Sequence, residues 1–161
     1  MPSCPSSFLP QQYKSLLSII PQGDEPFIDR LSIEELLNGF NDKKVQMASL
    51  MRDFKDKNEL NDSNNVKVIV DKDNYSINFS RFPMNSYSDN YKHIGVYAFR
   101  KETLIEFSKM EKTLMEKKEK IECLRYIENG KKIKMFKTDF SGVSIDTPED
   151  LIKAEEYIRK Q

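Results

Sequence analysis

Three stretches of this sequence carry residue types that could act on a phosphate or an acid. The first is Gln22-Gly23-Asp24-Glu25-Pro26, directly after the apolar pair Ile19-Ile20. It reads as the C-terminal end of a strand turning into a loop, where open α/β sheets place their ligands. A carboxylate there can hold Mg²⁺ through one or two oxygens while substrate phosphates supply others. The same residues also make an ordinary acidic turn. The second stretch runs from Gly142 to Leu151, with Asp146 just before Thr147-Pro148-Glu149-Asp150. Two carboxylates, Asp24 and Asp146, converging on one divalent cation would form a phosphoryl-transfer arrangement. The plain alternative is helix-start chemistry, in which acids such as Glu149 and Asp150 offset the positive end of the dipole. The third stretch holds Arg81 and His93. Arg81 offers the planar fork that binds a carboxylate, or is a solvated surface charge. His93 is the only histidine, which leaves no His-based metal cage. On an alternating strand His93, Gly95 and Tyr97 share a face, and Gly95 gives a ligand room to approach the backbone between two polar tips. A lone histidine is otherwise a surface residue or a satisfied core one.

These side chains need elements to hold them. Ser32 followed by Glu35 has the form of a capping box before Leu36, Leu37 and Phe40, which predicts a helix there. Thr147-Pro148-Glu149-Asp150 predicts another, with a Thr cap, Pro at the first helical position and Leu151, Ala154 and Ile158 on one face. A third is expected over residues 119–128, with Ile121, Leu124 and Ile127 as its stripe and an end near Gly130. Residues 66–70, 75–79 and 93–99 read as strands, and residues 131–136 as a further alternating one. The second and third of these are expected to pair directly. Helices mixed with strands of this length argue for an α/β or α+β sheet domain. Four of the seven prolines fall in residues 1–21, so that stretch reads as a loose leader and the compact body is expected from residue 22.

Composition narrows the class. The 161 residues suit one domain, and 38% hydrophobic content allows only a lean core. Lys plus Arg and Asp plus Glu both total 26, so no net charge drives binding to nucleic acid or to an anionic membrane. The longest apolar run, residues 16–20, is far short of the ~20 residues that cross a bilayer. Met1 to Ile20 lacks the ordered basic and apolar regions of a secretory signal. Two cysteines, Cys4 and Cys123, suit a reducing compartment, and the expected location is the cytoplasm.

In order and rough spacing, the segments above resemble one family, the 3-deoxy-manno-octulosonate cytidylyltransferases. The matching residues are Gln22 to Pro26, Asn64 with Val66-Lys67-Val68, Phe79-Ser80-Arg81 with Pro83, His93-Ile94-Gly95-Val96-Tyr97 with Arg100, Glu119 and Glu122 with Leu124-Arg125, Gly130 with Lys132-Ile133, and Asp146 to Leu151. The resemblance implies an α/β, Rossmann-like nucleotide-diphospho-sugar transferase fold with a mixed sheet. It also implies Mg²⁺-dependent attack of the sugar's anomeric hydroxyl on the α-phosphate of CTP, feeding lipopolysaccharide synthesis from a cytoplasmic homodimer. By position, Asp24 and Asp146 become the metal-binding, catalytic carboxylates, and Gln22, Arg81, His93, Tyr97 and Glu119 surround the sugar acid, with Glu122 as the alternative to Glu119. Such a reaction needs phosphate charge neutralised and an anionic sugar held in line, and no protein nucleophile.

The family's P-A-R-x-x-S-x-R-x-P-G-K loop and S-G-T-[DE]-R segment have no counterpart in this sequence. Five glycines, about 3% against a usual ~7%, agree with that. The expectation is therefore a fold truncated at the N-terminus, with residues 22–161 as the C-terminal part of a cytidylyltransferase domain behind an unmatched leader. Such a body is expected to expose a sheet edge, to associate readily and to bind CTP weakly. The competing readings are a noncatalytic remnant that binds a sugar acid or dimerises, and a fragment of a sialic-acid-type cytidylyltransferase.

Overall fold

The computed structural model describes residues 17–21, 28–140 and 148–159. Its strands are β1 (Leu17–Pro21), β2 (Met47–Arg52), β3 (Lys67–Val70), β4 (Ser76–Ser80), β5 (Tyr91–Arg100) and β6 (Lys134–Lys137). They form one sheet in the order β4-β3-β5-β2-β6, with β1 also paired to β5. The β2–β6 ladder is parallel and the others are antiparallel, which is the mixed sheet expected. Because β2 occupies one edge of β5 from Lys92 to Phe99, β1 and β3 must share the other.

Strand alternation sorts the core into two layers. On one face Met47, Met51, Val68, Tyr97, Phe99 and Met135 pack under Phe107 of α3 (Lys101–Lys109) and Leu124 and Tyr126 of α5 (Leu124–Glu128). On the other, Ala48, Leu50, Ile94, Val96 and Ala98 pack against Leu36 and Leu37 of α1 (Arg30–Asn38) and against Phe140. Two short helices, α2 (Lys57–Asn61) and α4 (Leu114–Glu119), close the loops. The last, α6 (Pro148–Arg159), starts at the predicted proline, while its expected cap Thr147 lies outside the described residues.

Several expectations are corrected. Leu17–Pro21 is a sheet strand, as the strand end read at Ile19-Ile20 expects, and not part of a loose leader: Leu17 and Ile19 pack on the α1 face, and Pro21 sits at its last position. The cap of α1 is Asp29, whose carboxylate accepts from the Ser32 N–H at 2.8 Å. Ser32 falls inside the first turn, with its hydroxyl 2.8 Å from Asp29 Oδ2 and 2.7 Å from Thr138 Oγ1. The single helix over residues 119–128 is two: α4 ends where Lys120 turns left-handed at φ 55°. Ile121, Cys123 and Leu124 are all buried, a spacing no single helical stripe provides. Finally, β4 does not pair with β5; β3 lies between them. Strand β2 and helix α3 carried no expectation.

Candidate active site

The sheet is interrupted on both sides of one short piece of β5. On the edge shared by β1 and β3, Pro21 faces Val96 and Lys67 faces Lys92, which leaves His93, Ile94 and Gly95 between the two registers, with the His93 N–H donating to the Val66 carbonyl at 2.9 Å. Strand β1 therefore ends, at Pro21, beside this gap. On the β2 edge the register jumps, with Ser49 opposite Tyr97 but Leu50 opposite Ile94. Gly95 and Val96 are thus extra residues on β5, a bulge, and glycine is the residue that bends there at least cost. Ser49 fills the bulge. Its Oγ lies 2.9 Å from the Val96 carbonyl, 3.3 Å from the Ile94 carbonyl and 2.8 Å from His93 Nε2.

His93 is 7% exposed. Its ring meets Phe79 edge-on at 5.1 Å and Tyr97 at 5.3 Å. Burial pushes its pKa down to about 3, so the ring is neutral at physiological pH. The expected shared face of His93, Gly95 and Tyr97 is present. It is packed with aromatic rings, and Tyr97 also lines a cavity.

That cavity, about 370 Å³, is walled by Ile20, Met47, Tyr97, Phe99, Phe107 and Cys123, with Glu122 and Arg125 supplying charge. Cys123 is fully inside, and burial pushes its thiol up to about 12 against the opposing hydrogen bond of Tyr97. The Arg125 fork reaches Glu116 through Nε at 2.8 Å and Nη2 at 2.6 Å, touches Glu122 at 3.3 Å and lies 5.1 Å over the Phe107 ring. The hydrogen bonds from Arg125 hold the Glu116 carboxyl below its ordinary range. Glu116 is enclosed, whereas the Glu122 side chain is 57% exposed, so Glu122 is the carboxylate a ligand in the cavity would meet.

Arg81 and Glu119 form a second group. The Arg81 N–H donates to Glu119 Oε2 at 3.2 Å, its Nε donates to the Glu119 carbonyl at 2.9 Å, and its Nη1 donates to the Ser63 carbonyl at 3.0 Å. Beneath them Lys67, with no exposed surface, donates from Nζ to the carbonyls of Asp62, Asn65 and Arg81 at 2.6 to 2.8 Å. Burial lowers its pKa. The structure thus joins His93 to Tyr97 and Arg81 to Glu119, and it sets Glu122 on the cavity wall. Gln22, Asp24 and Asp146 lie outside the described residues. Among the described residues, no group of three or more His, Cys, Asp or Glu is placed to hold a metal ion, and no helix is long and apolar enough to cross a membrane. Sequence reading missed Ser49, whose one signal is a lone hydroxyl in the apolar run Met47-Ala48-Ser49-Leu50-Met51.

Comparison with known proteins follows from this geometry. A curated relative from Christiangramia forsetii, named 3-deoxy-manno-octulosonate cytidylyltransferase, is 47% identical over 146 residues, 85% of this chain and 59% of the relative. One of the same name from Fusobacterium nucleatum is 39% identical over 155 residues, 92% of this chain and 62% of the relative. The chain therefore spans about 60% of the length of these relatives. A solved CMP:2-keto-3-deoxy-manno-octonic acid synthetase complexed with CTP superposes with a TM-score of 0.81 at 30% identity, covering 89% of this chain and 62% of that one. A 4-diphosphocytidyl-2C-methyl-D-erythritol synthase from Anaerococcus prevotii, at 20% identity and a TM-score of 0.56 over 91% of this chain and 60% of its own, shares the fold. These likenesses bear out the α/β nucleotide-diphospho-sugar transferase fold. The family profile described as Cytidylyltransferase matches residues 7–133, a span that takes in residues 7–21, which the sequence reading left outside the resemblance. With that match extending over most of its length, the chain belongs to the cytidylyltransferase family.

Proposed function

We propose that the protein transfers CMP from CTP to 3-deoxy-manno-octulosonate, releasing pyrophosphate, and that it does so in the cytoplasm, as a homodimer, in the service of lipopolysaccharide synthesis. The observation that carries this reading is the 47% identity over 85% of the chain to a relative named for that reaction. The site chemistry supports it. A sugar acid presents a carboxylate and several hydroxyls, and the gap in the sheet gathers Tyr97 and His93 on one face, with Glu122 on the wall of the adjoining cavity. Arg81 and Glu119 brace each other. Nη2 of Arg81 has no partner among the described residues, which suits it to the sugar carboxylate. Gln22 is proposed to meet the same ligand, as the resemblance implies. Asp24 and Asp146 are the proposed Mg²⁺ ligands, and the ion, when bound, would offset charge on the CTP phosphates.

The test is pyrophosphate release by the purified, folded chain with CTP, the sugar acid and Mg²⁺, beside an Asp146→Asn control. Sugar-dependent release that disappears in the control is expected. The second reading is a noncatalytic binder of the sugar acid. It predicts sugar binding by calorimetry with no release, and that pair of results would overturn the catalytic reading.

A further inference from the structure

We propose that Ser49 is a positioning residue that locks the His93 imidazole in its neutral, Nε2-protonated form, so that Nδ1 is a standing acceptor for a hydroxyl of the ligand. The argument is one of proton counting at the bulge. A serine hydroxyl has one hydrogen to donate. The Ser49 Oγ stands within reach of the carbonyl oxygens of Val96 (2.9 Å) and Ile94 (3.3 Å). Carbonyls only accept, and an oxygen pair at 2.9 Å with no hydrogen between would be repulsive. The Ser49 hydrogen is therefore spent on the β5 backbone at the bulge. Toward His93 the same oxygen has only lone pairs left, so at 2.8 Å the imidazole Nε2 must be the donor. The choice of tautomer is thus written into the backbone irregularity.

The surroundings keep the ring uncharged. From β4 it meets Phe79, from β2 Ser49, and from its own strand Tyr97, the one titratable neighbour. The nearby cations are engaged elsewhere, Lys67 with three carbonyls and Arg52 with Glu59. Burial is the cause of the lowered pKa. With Nε2 committed, Nδ1 has no partner among the described residues. A neutral nitrogen acceptor recognises a hydroxyl without repelling the cations that accompany a nucleotide. The ligand half of this inference rests on the proposed function; the tautomer half does not.

His93 is the only histidine, so a long-range ¹H–¹⁵N correlation spectrum of the uniformly labelled full chain shows a single imidazole without assignment. The expected spectrum has a pyrrole-like Nε2 and a pyridine-like Nδ1 throughout the range of about pH 5–8 in which free imidazole titrates. Ser49→Thr keeps this pattern, and Ser49→Ala admits the Nδ1-protonated form. An Nδ1-protonated ring in the unaltered chain, or a titration midpoint near the ordinary histidine value, would overturn the tautomer assignment and needs no variant to fold. Adding 3-deoxy-manno-octulosonate alone is expected to move the Nδ1 resonance, and Ser49→Ala to weaken that binding about three- to tenfold, one hydrogen bond's worth, with Ser49→Thr restoring it. Binding that leaves Nδ1 unmoved would overturn the ligand half. Absence of pyrophosphate release with these spectra intact would overturn only the catalytic reading.

Discussion

Replacing Glu59 with Gln should remove an ionic clamp between Arg52 of β2 and Lys92 of β5, and the size of the effect follows from the structure. Glu59 is anchored in α2, capped by Asp56. Its carboxylate accepts both Arg52 Nη groups and the Lys55 N–H, with Lys92 Nζ at 3.4 Å. Burial alone would raise its pKa. The hydrogen bonds from Arg52 and Lys55 and the charges of Arg52 and Lys92 together overcome that and lower it from 4.5 to about 2. At 1.36 kcal/mol for each pH unit, the ionised carboxylate contributes about 3 kcal/mol to stability at neutral pH. The sign follows from the depression: the contribution is complete above the unfolded value of 4.5 and is lost as pH falls toward 2. At about pH 3 roughly 1.4 kcal/mol remains. Urea unfolding followed by circular dichroism, on both proteins at about pH 7 and pH 3, gives the two differences directly. Because other carboxylates titrate in the same window, the difference between unaltered and Glu59→Gln chains isolates this one. A penalty below about 1 kcal/mol at neutral pH, or one that does not shrink on acidification, would refute the argument. The first result would mean that Arg52, 7% exposed, is stabilised by something other than this pair.

Four further outcomes are expected. Arg125→Met and Glu116→Gln should each cost about 3 kcal/mol in urea unfolding, because each strands a buried charge or its partner, and the double variant should cost clearly less than the sum. Strict additivity would show that the pair does not act as a unit. Lys67→Met should cost more than about 2 kcal/mol, since three carbonyls lose the buried donor they share, and thermal unfolding of the variant measures it. A Cβ at Gly39 would lie 2.0 Å from the Phe136 ring, so Gly39→Ala should cost about 1–3 kcal/mol and Phe136→Leu should recover part of the loss in the double variant. In a Cys4→Ser background, Cys123 should resist a disulfide-exchange reagent at about pH 8 while folded and react once urea is added; rapid labelling of the folded chain would contradict its burial.

Which parts of this fold are legible in the sequence depends on whether burial leaves a pattern. His93 to Phe99 was readable because β5 alternates polar-tipped and aliphatic positions between the two core layers. The bulge did not spoil that reading: it inserts two residues, Gly95 and Val96, and an even number preserves which side chains share a face. Strand β2 could not be read, because Met47–Arg52 is buried at every position and a strand covered on both faces has no period to detect. Asp29 and Ser32 are both good caps three residues apart, and tertiary contact chose between them, since only with Ser32 inside the helix does its hydroxyl meet Thr138.

The same logic separates the two carboxylates between which sequence reading left a choice. Glu119 and Glu122 are three residues apart, so on one continuous helix they would share a face and could serve one ligand together. Lys120, a left-handed lysine, breaks that helix between them, and nothing in the run Lys117-Lys118-Glu119-Lys120 marks the break, because glycine is the usual signal for such a turn. Once broken, the chain sends Glu119 back to the Arg81 backbone and carries Glu122 on to the cavity beside Arg125. Glu119 and Glu122 therefore face different neighbours. The division is made by a backbone conformation whose stability lies in the burial of Ile121, Cys123 and Leu124, not in the identity of either carboxylate.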